Sequence, residues 1–192
     1  MVKPNVIVIS GVPGVGKSAV AKALAKALNG HYVELSKVVV DKGLYLSYDE
    51  ETLSYIINEE KVKEYVRELS RQHELVIIDS HYGEIIDDDL IIKIFVLRMN
   101  PLRLIERLKK RNWPRKKVKE NLEAEALGVC LINALESYPE EKVCEIDVTD
   151  RSVKEVVNII FEMLSRPCRP LYIDWFSDPK VVELIAKLDL GS

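Results

Sequence analysis

Asn5-Val-Ile-Val-Ile-Ser-Gly-Val-Pro-Gly-Val-Gly-Lys-Ser18 is the stretch on which the fold turns. Asn5–Ser10 is a short continuous apolar run, the pattern of a strand buried on both faces of a parallel sheet. Gly11–Ser18 then fits G-x-x-x-x-G-K-[ST] without a mismatch. Lys17 to Asn29 continues as a helix, with Val20, Leu24 and Leu28 at helical spacing and Asn29-Gly30 as its stop. Glycines allow a backbone to wrap a phosphate closely, and the amides from Gly14 to Ala19 lie at the positive end of the helix. The stretch therefore predicts a phosphate cradle of Gly11, Gly14, Val15, Gly16, Lys17, Ser18 and Ala19. Lys17 is expected to reach the β- and γ-phosphates of ATP, and the Ser18 hydroxyl to ligate Mg²⁺. The bland alternative is a chance glycine-rich turn; the strand before it and the helix after it weigh against that.

Outward from this loop, strands alternate with helices. His31–Leu35, Leu75–Asp79, Ile91–Leu97 and Lys142–Val148 read as further strands. Residues 59–72 form a charged amphipathic helix, Asn100–Arg111 a helix opened by Pro101, and Ser152–Leu164 another. Pro114 is predicted to start one longer helix running toward Ser137, and residues 36–58 are read as short and irregular. The alternation predicts an α/β fold, a P-loop NTPase with a five-stranded parallel sheet and helices on both faces. The composition shifts at Arg166-Pro-Cys-Arg-Pro170. The expected organisation is thus one domain over 1–165 and a tail over 166–192. Trp175 and Phe176 are expected to pack the tail onto the body, and a helix from Pro179 to Leu190 to follow, with Asp178 as its cap.

At 192 residues the chain suits one α/β domain. A net charge of −3 argues against a general nucleic-acid coat, and no sequence-specific DNA binding is expected. Cys130, Cys144 and Cys168 are odd in number and widely spaced, so reduced thiols are the expectation. No apolar run reaches the ~18 residues of a membrane span, and Met1-Val-Lys-Pro has no signal-peptide layout. A cytoplasmic protein is expected.

Leu75-Val-Ile-Ile-Asp79 is an apolar strand ending in a carboxylate, the layout of a second Mg²⁺ ligand beside the cradle. A turn-capping aspartate is the plainer reading. His81, two residues on, lies at the sheet edge where ligands bind, and is read as placing a water or an acceptor; a structural histidine is the alternative. Arg98 to Lys119 carries ten basic residues against one acid, Glu106. Most are expected to be a solvated helix face. Arg111, beside Asn112-Trp113-Pro114, is singled out as a clamp for a transferring phosphoryl group. Trp113 either covers an adenine or packs on the hinge of this segment.

Four segments in order, Gly11–Ser18, Ile78-Asp-Ser-His81, Phe95-Val-Leu-Arg98 and Arg111–Glu125, resemble the adenylate kinase isoenzyme six family, also called CINAP-type kinases, and their archaeal counterparts. Tyr48-Asp-Glu-Glu51 matches that family's middle region, and the likeness spans about residues 4–165. The resemblance implies a nucleoside-monophosphate-kinase fold with a monophosphate region near 34–57 and a lid near 110–120. It implies AMP phosphorylation by ATP together with ATPase activity. It also implies a role in small ribosomal subunit (pre-40S/30S) maturation through ribosomal protein uS11. By position it assigns Gly14, Gly16, Lys17, Ser18 and Ala19 to the ATP phosphates, Asp79 and His81 to the Asp-x-His element, and Arg111 to the lid.

Two positions depart from the pattern. Val38-Val-Val40 stands where eukaryotic members carry an arginine, and Asn112 stands at the lid's usual glycine. Arg67 and Arg71 are the only arginines between residues 31 and 92. Lys37 or Lys42 is left as a point-charge substitute. This shifts weight from AMP phosphorylation toward ATP hydrolysis, and toward an ATP-driven assembly switch. A small-metabolite kinase of shikimate type on the same fold stays open as a third reading.

Overall fold

The first apolar run becomes β1 (Val6–Ser10), buried along its whole length. The structure, a computed structural model, describes residues 3–50 and 54–189. Helix α1 (Lys17–Leu28) ends at Asn29, whose φ of 52° is the left-handed stop predicted for it. There follow β2 (His31–Glu34), α2 (Leu35–Asp41), β3 (Tyr45–Asp49), β4 (Ser54–Ile57), α3 (Glu59–Gln72), β5 (Val76–Asp79) and β6 (Ile91–Arg98). The second half holds α4 (Pro101–Lys109), α5 (Arg115–Leu127), α6 (Val129–Ser137), β7 (Val143–Asp147), α7 (Val153–Leu164) and α8 (Pro179–Asp189). No described helix is long and apolar enough to cross a membrane.

The main sheet has the order β2-β5-β1-β6-β7, and every pairing in it is parallel. Side chains alternate across it. Ile7 and Ile9 enter one core with Leu24 of α1, Leu104 of α4, Leu122 of α5 and Ile160 of α7. Val6 and Val8 enter the other with Val39 of α2, Val66 of α3 and Leu131 of α6. Helices therefore cover both faces, as the alternation predicts. Burial on this scale is what holds the loops in place: truncating fully buried Leu24 to alanine costs about 2–5 kcal/mol. Because β1 is flanked by β5 and β6, the loop leaving its carboxyl end lies beside the end of β5, with Ile9 opposite Asp79.

Four expectations are corrected. Residues 36–58 are not irregular: they hold α2 and the antiparallel hairpin β3–β4. The hairpin is mostly exposed, so it has no buried alternation for a sequence to display. Glu51 and Leu190 lie outside the described residues. The single helix from Pro114 to Ser137 is two, broken at Gly128 with φ 71°. The cause is Arg98, whose Nη2 donates to the Glu125 carbonyl at 2.8 Å, while a Cβ on Gly128 would stand 3.2 Å from Nη1.

Cys144 and Cys168 are joined as a disulfide, with Cα atoms 5.0 Å apart, against the expectation of reduced thiols. The partners are 24 residues apart and meet only because the tail folds back on β7, which spacing rules do not register. The tail also packs tightly. Lys93 in β6 donates to the Arg166 carbonyl at 2.6 Å and the Glu141 carbonyl at 3.2 Å, and α8 lies on α4 and α5. Trp175 is half-buried, as expected, but Phe176 is exposed. Asp178 caps α8 as predicted, accepting from the Lys180 amide at 2.9 Å.

Candidate active site

The loop between β1 and α1 is shaped by glycines with positive φ, 131° at Gly11 and 109° at Gly16. A Cβ on Gly11 would collide with the Leu97 carbonyl of β6, so the loop leaves the sheet at a distance that only glycine permits. Val15 is buried in the core, and the loop hangs from it. Arg107 of α4 holds the outer side, donating to the Gly14 and Val15 carbonyls at 3.3 and 3.4 Å. In a planar trans peptide the following amides then point away from Arg107. No side chain caps the first turn of α1, which leaves its amides to an anion.

These elements border one cleft of about 720 Å³, of the size small-ligand sites have. Gly14, Gly16, Lys17, Ser18 and Ala19 line it; Gly11 and Val15 sit behind it. Asp79, His81 and Arg111 line it as well, so the structure brings all four predicted catalytic side chains to one space.

Lys17 donates to the Val12 carbonyl at 3.2 Å. Burial pushes its pKa down, opposed by the nearby Asp79 carboxylate. Asp79 is 4% exposed and accepts from the Tyr32 hydroxyl at 3.3 Å. Burial, and after it the carboxylates of Asp79 and Glu34, raise the pKa of that hydroxyl, which therefore stays a donor; Ser18 also bonds it. Ser18 and Asp79 thus supply hydroxyl and carboxylate oxygens at one end of the cleft. That donor set fits Mg²⁺, which takes one or two protein oxygens and fills its shell with water and phosphate.

The His81 ring packs against that of Tyr82 at a tilt of 44°, with ring centroids 3.7 Å apart. Burial, followed by the charges of Lys17 and Lys117, lowers its pKa to about 4. It is a neutral imidazole at pH 7, able to accept one hydrogen bond and donate another. At the other wall, the Arg111 guanidinium lies 4.9 Å from the Trp113 ring centroid and the Lys117 ammonium 5.1 Å from it. Trp113 packs partly against the core and also lines the cleft, so it meets the terms of both readings, hinge and adenine cover. Asn112 takes the left-handed backbone, φ 52°, at the position of the family's glycine.

Three side chains of the site escaped the sequence. Arg107 gave only the signal of standing one helical turn before Arg111. Tyr32 gave none, since its partner is on another strand. Glu34, which lines the cleft, ends β2 as Asp79 ends β5, and that parallel position was legible. Within the basic segment, Arg98 is no part of the surface: it is 1% exposed and bound to Glu125 at 2.8 Å and Glu145 at 2.6 Å.

Comparison with known proteins agrees with this geometry. Residues 7–128 match the family model described as AAA domain. Full-length relatives share the name "Putative adenylate kinase". The one from Saccharolobus solfataricus is 40% identical over 96% of this chain and 94% of its own. That from Methanocaldococcus jannaschii is 37% identical over 88% and 92%, and that from Pyrococcus furiosus 36% over 97% and 98%. Among solved structures, the chain is similar to a shikimate kinase from Bacteroides thetaiotaomicron, with TM-score 0.58 and 17% identity over 84% of this chain and 98% of that one. It is also similar to a gluconokinase from Sinorhizobium meliloti, with TM-score 0.51 and 18% identity over 98% of each. At those identities the two structures speak for the fold, the P-loop kinase sheet described above. A P-loop built as these contacts build it, a matching AAA domain and relatives alike over most of their length agree: the chain belongs to the family of the archaeal proteins named "Putative adenylate kinase".

Proposed function

We propose that the protein transfers the γ-phosphoryl group of Mg·ATP, to AMP as an adenylate kinase (ATP + AMP → 2 ADP) and to water as an ATPase. The observation that supports this most is the convergence of Lys17, Asp79, His81 and Arg111 on one cleft at the uncapped start of α1. Lys17 and the amides of Gly14–Ala19 grip the phosphates, Ser18 and Asp79 hold Mg²⁺, and Arg111 meets charge on the moving group. When bound, Mg²⁺ neutralises charge that builds on the phosphate oxygens. Neutral His81 orients the attacking oxygen. Residues 34–57 form the acceptor side, and residues near 110–120 a lid hinged at Asn112.

The names of the relatives and the family resemblance support AMP as acceptor. Measuring ADP production with and without AMP tests it. Hydrolysis in the absence of AMP and faster ADP formation in its presence are expected; no ADP under either condition would refute the assignment.

One observation favours hydrolysis as the larger activity: among the described residues of 34–57, no arginine or lysine lines the cleft. On this reading the ATP cycle drives a cytoplasmic assembly step, in small-subunit maturation through ribosomal protein uS11, as the resemblance implies. Exposed Leu46, Tyr48 and Ile56 on the hairpin are its candidate contact. A pull-down with uS11, run with and without ATP, tests this; no recovery in either state counts against it.

A further inference from the structure

The acceptor end of the cleft carries a carboxylate where a phosphate-bearing acceptor would bring more negative charge. Glu34 is the last residue of β2, half-buried, and lines the cleft together with Ser36, Val39, Val40, Tyr55 and Ile57. It lies opposite Asp79 in the parallel register of β2 and β5. Adjacent strands are about 4.8 Å apart, so two carboxylates leave neighbouring strand ends side by side. Glu34 is close enough to the Tyr32 hydroxyl to hinder its ionisation, and that hydroxyl is bonded to Asp79. The two carboxylates, with the neutral hydroxyl between them, form one negative edge. Among the described residues no cation pairs with Glu34, and the cations lining the cleft, Lys17, Arg111 and Lys117, belong to the phosphate loop and lid. Lys37, three residues on, is exposed and does not line the cleft, and Lys42 lies over the Tyr65 ring.

We propose that Glu34 sets acceptor selectivity: it disfavours a phosphomonoester such as AMP and favours an uncharged acceptor, water or a hydroxyl. The inference rests on the phosphotransferase reading above. In either reaction the acceptor oxygen bonds the γ-phosphorus while its bond to the β–γ bridging oxygen breaks, and ADP leaves. Water or a hydroxyl releases a proton in doing so; the AMP phosphate, ionised at neutral pH, has none to lose and brings its charge to the negative edge. Like charges a few ångströms apart in a partly buried cleft repel strongly enough to shift binding by one to two powers of ten.

The test measures AMP and adenosine affinities by calorimetry, with Mg²⁺ and a non-hydrolysable ATP analogue present, for the wild type, Glu34→Gln and Val40→Arg. Adenosine shares the base and sugar of AMP and lacks its charge. Expected are at least tenfold tighter AMP binding in both variants and adenosine binding within threefold of wild type. The ratio of AMP-dependent to AMP-independent ADP production should rise at least tenfold in Glu34→Gln. Unchanged AMP affinity in Glu34→Gln overturns the proposal, as does an equal gain for adenosine. If the wild type fails to take up the ATP analogue at all, the phosphotransferase reading itself fails; if it takes up the analogue but Glu34→Gln leaves AMP binding unmoved, only the selectivity inference does.

Discussion

Trp175, in a tail none of whose described residues lines the cleft, donates its indole N–H to Oε1 of Glu125 in α5 at 3.0 Å. The same oxygen accepts from Arg98 Nε at 2.8 Å and from the Met99 amide at 3.0 Å. Arg98 in turn donates to Glu145, whose carboxylate also takes the Ile173 amide at 3.3 Å. The tail is therefore tied into a buried ionic group that joins β6, β7 and α5.

Removing the indole N–H tests that tie. Hydrogen bonds to charged groups contribute about 1.5–3 kcal/mol. At pH 8, where Glu125 is ionised, Trp175→Phe should lower the unfolding free energy by about 2 kcal/mol in urea. Phe176→Ala, at an exposed neighbour, should change it by under about 0.5 kcal/mol. Equal effects of the two would show that the tail is not held by this contact.

Glu125 predicts a pH dependence of stability. Burial raises its pKa to about 7 from an ordinary 4.5, with Arg98 opposing. The folded state thus holds a proton on this group that the unfolded chain releases above pH 4.5. Stability from this group is full below that value and is lost as pH rises through 7. The loss is up to about 3 kcal/mol. Urea midpoints at pH 5 and pH 8 should fall with pH in the wild type and fall less in Glu125→Gln. Parallel curves for the two proteins would contradict it.

On the proposed reading, the phosphate grip depends on Lys17. Lys17→Ala should fold normally and lose at least 10³-fold of ADP production, since both the ammonium and its pre-set position disappear. Arg111→Ala should lose 10²-fold or more in kcat, with Arg111→Lys recovering little, because a point charge cannot bridge two phosphate oxygens. Circular dichroism alongside the turnover assay separates chemistry from folding.

The Cys144–Cys168 pair can be counted directly. Alkylation of unfolded, unreduced protein should label one thiol, Cys130, and reduction should raise this to three. Closing a loop with a separation of 24 residues contributes about 3 kcal/mol in the chain-entropy account. Reduction should then lower Tm by on the order of 10 °C. Three labelled thiols without reductant would remove the disulfide from the description.

How much was legible follows from where each signal is stored. The strands β1, β5 and β6 and the loop Gly11–Ser18 are local patterns: continuous apolar runs and glycines at fixed offsets. Helices α3 and α7 announce themselves by period and cap; Ser152 and Glu155 form a capping box. The hairpin β3–β4 was missed because exposed strands need no apolar alternation. The break at Gly128 was missed because its cause, Arg98, comes from a strand thirty residues away.

Sequence alone determined that this chain is a P-loop protein, and which ammonium, hydroxyl and carboxylate stand at the ends of its first strands. These depend on residue type and spacing along a single element. Tertiary structure alone decided that Glu34 lines the cleft beside Asp79, that Arg107 braces the loop, and that Trp175 closes onto Glu125. Those are meetings across the sheet and between distant segments, and burial fixes them. A side chain's charge is written in the sequence, but what that charge faces is set by which apolar surfaces must first come together.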